Sequence, residues 1–275
     1  MLPNFFIVGA AKAGTTSLYH YLNQHPQVYM SPIKEPCYFA SEVRPENFDG
    51  EFRQQAQRGV RETQEYIRGP MRENRFGGMV IEWEDYINLY RNVKDESAIG
   101  EASVSYLWSK TAAANMHSRI PDARIIIVLR NPAERAFSEY HHVLTEGRTR
   151  CSFGDYIQAG LRSQTEKFRT PYNFLKCGLY YEQVKRYLDL FSRDQIRIYF
   201  YEDYVTQFPQ LWKDVLGFLQ VDTSFLPDTR QKHLEPRVPR LVFASHVLKK
   251  YEIWHHLTRL SPRALRPALL KFAFR

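Results

Sequence analysis

Two short segments carry the residue types that hold anions. The first is Gly9-Ala10-Ala11-Lys12-Ala13-Gly14-Thr15-Thr16-Ser17, between an apolar run at 4–8 and a helical pattern at 16–23. A glycine-rich turn that opens a helix presents free backbone N–H groups and the positive end of the helix dipole. Lys12 adds a point charge, and the Thr and Ser hydroxyls add donors. The second segment is Leu129-Arg130-Asn131-Pro132-Ala133-Glu134-Arg135-Ala136-Phe137-Ser138. Arg130 follows the most apolar run of the chain, Ile125 to Leu129. Ser138 comes seven residues after Asn131, about two helical turns, so the two share a helix face. Arg130 and Ser138 can then grip one anion.

The two glycines of the first segment have the spacing of the GxxxxGK[ST] loop of nucleotide triphosphatases, but Thr15 stands where that loop has lysine. A nucleotide triphosphatase also places an Asp near the second segment to position Mg²⁺. Here the strand ends in Arg130. A metal-dependent kinase or NTPase is therefore the alternative enzyme, disfavoured at both positions. A second phosphate, held by protein groups alone, is the better reading.

Elements of matching type surround these loops. A strand is predicted at 123–129, continuously apolar over 125–129, as expected of a strand covered on both faces of a parallel sheet. Pro132 suits the first position of the helix that follows. An amphipathic pattern spans 179–191, a strand is predicted at 196–201, and helices are predicted at 208–219 and 241–257. Residues 99–106 form a short strand or loop. Strands alternating with helices predict an α/β fold with a central, mainly parallel sheet flanked by helices. Residues 44–78 are polar and glycine-punctuated, and read as a long substrate-side insertion containing one helix.

The 275 residues suit one large or two small domains, at roughly 100–200 residues each. A hydrophobic fraction of 44% suffices for a real core. The net charge of +8 is unevenly placed. Residues 237–275 hold nine of the 38 basic side chains and one of the 30 acidic ones, leaving 29 of each in the first 236. A neutral body speaks against a broad nucleic-acid surface. The basic segment at 241–275 reads as helices packed on the domain with charges toward solvent; the alternative is a peripheral contact with an anionic membrane or glycolipid. Cys37, Cys151 and Cys177 are far apart and form no CxxC pair, so neither zinc nor a disulfide framework is expected. No apolar run reaches the roughly 20 residues of a membrane helix. The apolar stretch at 5–11 lacks a charged leader, so a cytoplasmic protein is expected.

Together the two anion segments resemble the sulfotransferases that use 3′-phosphoadenosine-5′-phosphosulfate (PAPS). The resemblance continues through His25-Pro26, Lys34-Glu35-Pro36-Cys37-Tyr38-Phe39, Gly100-Glu101-Ala102-Ser103-Val104-Ser105-Tyr106 and Gly178-Leu179-Tyr180, covering roughly residues 4 to 240. It is nearest to the branch of bacterial and heparan-sulfate-modifying members. It implies a single P-loop-like three-layer domain, PAPS as co-substrate, adenosine 3′,5′-bisphosphate as product, and no metal. It implies that Lys12 contacts the 5′-phosphosulfate and steadies the leaving oxygen. Ala13, Gly14, Thr15, Thr16 and Ser17 complete that loop, and Arg130 and Ser138 bind the 3′-phosphate. Glu35 takes the place of the general base, although by itself a Glu before Pro in a polar loop reads as a solvated surface residue. Glu101 and Ser103 fall in a segment near the acceptor. Arg240, and more weakly Arg237, belong to a basic loop that closes over the nucleotide. Ala102 stands where heparan-modifying members often have lysine, which weakens a heparan-like acceptor. A hydroxyl of a carbohydrate or glycolipid is expected, ahead of an amine, with small-molecule acceptors (small alcohols, phenols and natural-product scaffolds) as the alternative. His25 reads as a structural helix-end residue, and His141 and His142 as solvent-facing.

Overall fold

Phe5, Phe6, Ile7 and Val8 are all 0% exposed, because their strand is the middle one of a five-stranded sheet. The computed structural model describes residues 1–48, 50–162 and 171–230. In chain order the elements are β1 (Phe5–Gly9), α1 (Thr15–Leu22), β2 (Val28–Met30), β3 (Ile33–Lys34), α2 (Gly50–Arg68), β4 (Arg75–Phe76), α3 (Trp83–Asn88), β5 (Ala98–Ala102), α4 (Ser105–Trp108) and α5 (Ala112–Arg119). They continue as β6 (Arg124–Leu129), α6 (Pro132–Thr145), α7 (Phe153–Arg162), α8 (Pro171–Lys176), α9 (Tyr180–Leu188), β7 (Ile196–Phe200), α10 (Tyr201–Thr206) and α11 (Phe208–Leu219).

The main sheet has the order β2-β5-β1-β6-β7, and every pairing is parallel. Parallel strands need crossovers, and helices supply them. The apolar run of β6 is explained by its place between β1 and β7, with Ile125 to Val128 fully enclosed. Gly100 of β5 lies opposite Phe5, and a Cβ there would stand 2.0 Å from the Phe5 ring. Only glycine lets that ring cross the strand.

The long insertion holds α2, as expected, with Val60, Thr63 and Ile67 on its buried face. It also ends in β4, which pairs in parallel with β3 and sets Phe76 beside Lys34. A second apolar cluster, around Ala136, Tyr140, Val143, Tyr156 and Phe174, braces α6 against α7 and α8. The segment at 99–106 resolves into β5 and the short helix α4. The helix predicted at 241–257, the basic segment at 241–275, Arg237 and Arg240 lie outside the described residues. Among the described residues no helix is long and apolar enough to cross a membrane.

Candidate active site

The carboxyl ends of β1 and β6 meet at one edge of the sheet, where open α/β sheets take their ligands. The β1–α1 loop occupies that edge. Gly14 caps α1 in a left-handed conformation, φ 85°, and no side chain satisfies the first N–H groups of the helix. Those donors are free for an anion. A Cβ on Gly14 would stand 3.1 Å from the Tyr201 ring, so the loop is roofed by the residue that follows β7. Ala13 and Thr15 are buried, while Thr16 and Ser17 are half-buried. Burial holds the Lys12 ammonium below the ordinary lysine value. The carboxylates of Glu139 and Glu146 on and beyond α6 oppose that shift, and the charges of Lys34 and Arg130 add to it.

Arg130 closes the same edge from β6. Its Nη1 donates to the Lys12 carbonyl at 3.2 Å, which joins the two anion segments directly. The guanidinium lies 4.5 Å from the centre of the Tyr201 ring and pairs with Glu134 at 3.2 Å. Glu134 is more than half exposed, so this ion pair is weak and a bound anion can replace it. Tyr180 Oη donates to the Arg130 carbonyl at 3.0 Å. Asn131 caps α6 through the N–H groups of Ala133 and Glu134, and its own N–H donates to Glu202 at 2.9 Å. Ser138 is half-buried, two turns into α6.

Glu35 follows β3 and has a left-handed backbone, φ 71°. It is not the solvated loop residue that its local sequence suggests. Its Oε1 accepts from the buried Lys34 ammonium at 2.5 Å, and its Oε2 accepts from the Val104 N–H at 2.9 Å. Its N–H donates to the Ala102 carbonyl at 2.9 Å. The carboxylate keeps 23% exposure and is open to one side. A carboxylate, a buried lysine beside it, and the coupled cations Lys12 and Arg130 therefore share one edge of the fold.

Glu101 and Ser103 do not face an acceptor: each is 0% exposed. They lie beneath the Glu35 turn, because Glu101 points into the core while Ser103 reaches up to Cys37. Burial pushes the Glu101 carboxyl up to about 7, against hydrogen bonds from Tyr86 and Ser103 that favour its charge. His25 is structural: Nδ1 accepts from the Gln27 N–H at 3.0 Å, and Nε2 lies 3.0 Å from the Asp222 carbonyl. His141 and His142 are half-buried rather than fully solvent-facing. The His142 imidazole is held below the ordinary histidine value by burial and then by the Lys12 charge.

Sequence reasoning gave no role to Lys34, Tyr201, Tyr180 or Glu202. For Tyr201 and Glu202 a signal existed, their position at the carboxyl end of a predicted strand. Among the described residues no group of three or more His, Cys, Asp or Glu side chains could hold a metal ion.

A family model described as "Sulfotransferase family" matches residues 3–224. Human carbohydrate sulfotransferase 15 is 25% identical over 275 aligned residues, covering 80% of this chain and 44% of that protein. Human bifunctional heparan sulfate N-deacetylase/N-sulfotransferase 3 is 28% identical over 201 residues, covering 72% of this chain and 20% of that protein. The chain thus spans less than half the length of these curated relatives. The crystal structure of a sulfotransferase from Alicyclobacillus acidocaldarius superposes with a TM-score of 0.70 at 37% identity, covering 86% of this chain and 87% of that one.

Proposed function

The chain belongs to the sulfotransferase family, and on that footing we propose that it moves a sulfuryl group from PAPS to a hydroxyl of a carbohydrate or glycolipid acceptor, with Glu35 as general base. The carbohydrate class is supported by the similarity to carbohydrate sulfotransferase 15, and an amine acceptor is the less favoured variant. Bound PAPS supplies the sulfuryl group and a phosphate as leaving group. The uncapped N–H groups at the start of α1, with Thr15, Thr16 and Ser17, suit the 5′-phosphate. Arg130 and Ser138 suit the 3′-phosphate.

An attacking hydroxyl must lose its proton as the oxygen–sulfur bond forms, and a fixed carboxylate is the group that takes it. The sulfur–oxygen bond to the phosphate breaks in the same displacement, leaving negative charge on the bridging oxygen. Lys12 is the cation placed to meet that charge. Its depressed acidity range also makes it a ready proton donor there. The observation that carries the proposal is the hydrogen bond from Arg130 to the Lys12 carbonyl, which brings both anion segments to the edge that also holds Glu35. A cytoplasmic setting is part of the same proposal, supported by the free cysteines Cys37, Cys151 and Cys177.

Calorimetry tests the nucleotide: adenosine 3′,5′-bisphosphate should bind more tightly than ATP with Mg²⁺, and the reverse order would overturn the reading. A Glu35→Gln variant tests the base. Its nucleotide affinity should persist while transfer of radiolabelled sulfur from PAPS falls by about 10²–10⁴.

A further inference from the structure

Glu101 is a carboxylate in the middle of an apolar sheet. It sits in β5, in register with Phe6, and is 0% exposed. Three hydroxyls converge on it: Tyr86 Oη on Oε2 at 2.5 Å, Ser103 Oγ on Oε1 at 2.7 Å, and that of Tyr106. Ser103 is equally enclosed and accepts from the Cys37 N–H at 3.2 Å. Because the Ser103 proton is directed at Glu101, an Oγ lone pair faces Cys37. Two hydrogen bonds thus run from the core carboxyl to the turn that carries Glu35.

That turn needs support. Glu35 and Cys37 both have left-handed backbones, φ 71° and 58°, which side chains other than glycine adopt at a cost. The surrounding structure must over-determine such a turn. Residues 101–104 do so at three points. The Ala102 carbonyl takes the Glu35 N–H at 2.9 Å, and the Val104 N–H holds the Glu35 carboxylate at 2.9 Å. Ser103, between them, holds Cys37. Tyr86 ties α3 into the same network, stacked on Tyr38 of the turn with ring centres 4.6 Å apart.

We propose that Glu101 is a positioning residue for Glu35, acting through Ser103 to hold the left-handed turn in the geometry that aims the base. This rests on the reading of Glu35 as base. It assigns Glu101 and Ser103 to the catalytic step rather than to nucleotide or acceptor binding.

The test compares Ser103→Ala, Ser103→Thr, Glu101→Gln and Glu35→Gln in the full chain. The readouts are kcat, the KM for PAPS, the Kd for adenosine 3′,5′-bisphosphate and the melting temperature. Loss of one buried hydrogen bond corresponds to about a tenfold effect. Ser103→Ala should lower kcat by that factor with the KM and Kd changed less than about twofold, and Ser103→Thr should restore most of the turnover. Glu101→Gln should lower kcat in the same manner, and it decides the matter if Ser103→Ala does not fold. Wild-type turnover in Ser103→Ala and Glu101→Gln, beside an inactive Glu35→Gln, would overturn the proposal alone. Parallel loss of nucleotide binding and turnover would also overturn it, showing a general structural role. Full activity in Glu35→Gln would instead remove the base itself, and this proposal with it.

Discussion

The β1–α1 loop and the Glu35 turn meet at one edge of the sheet but are built in opposite ways. In the loop, the first donors of α1 have no side-chain cap, and Lys12 is a half-buried cation with a depressed pKa. In the turn, the Glu35 N–H and carbonyl, both carboxylate oxygens and the Cys37 N–H all have partners. The loop is incomplete until an anion arrives, so a bound nucleotide should stabilise the protein by mass action. The turn is complete beforehand, as the proposed role of Glu35 as a base requires, since such a group must be held in its working geometry before the acceptor binds. The loop is left open to a ligand, whereas the turn is held by its own partners.

The largest expected effect tests whether the loop also serves chemistry. Lys12→Met removes the charge and keeps the chain length. Turnover should fall by about 10²–10³, as for loss of one group that stabilises developing charge, with weaker binding of adenosine 3′,5′-bisphosphate. If steady-state kinetics show weaker binding with unchanged turnover, the loop is a binding element alone.

The next concerns the ground beneath the turn. The Glu101 carboxyl, raised to about 7, keeps its proton in the folded protein after the unfolded chain has lost it. Below the ordinary carboxylate range both states are protonated and the burial carries no penalty. Between there and about pH 7 the folded state binds more protons, so stability must fall as pH rises. The total is roughly 3 kcal/mol. Urea unfolding of wild type and Glu101→Gln between pH 4.5 and 8 should show the variant gaining on wild type by that amount. A pH-independent difference would mean that the core carboxyl is ionised throughout.

The smallest effect returns to the loop. Gly14→Ala meets both a left-handed φ and the Tyr201 ring. Thermal melting should register a loss of about 1–2 kcal/mol, and nucleotide affinity should drop with it as Tyr201 shifts against Arg130. A melting temperature equal to wild type would show that the loop is looser than its contacts imply.

What was legible in the sequence was local. The strand–loop–helix around Lys12 and the strand ending in Arg130 are read from neighbouring residues, because a short apolar run, a glycine pair and a helix cap act within a few positions. Phe208–Leu219 was legible for the same reason, its apolar period being strong. The short strands β2, β3 and β4 were not, since two or three residues carry no period and exist only by pairing. Glu101 was misplaced toward the acceptor, although one signal stood in the strand itself: a lone acid among Ala98, Ile99, Gly100 and Ala102. A charge in a central strand is either exposed or partnered, and only the position of Tyr86 decides which.

The sequence by itself determined the chemistry on offer: a lysine in a phosphate-type loop, an arginine at a strand end, a glutamate after a lysine, and a neutral body with a basic C-terminal stretch. Tertiary structure alone decided who meets whom. Lys12 and Arg130 are 118 positions apart and touch because β1 and β6 are adjacent and parallel. Glu35 changes from a solvated loop carboxylate to a held one because the end of β5 and the residues after it, Ala102, Ser103 and Val104, pass beneath its turn. Local rules act over one turn or one strand, whereas contacts across a sheet depend on strand order, and strand order is settled only when the whole core is buried.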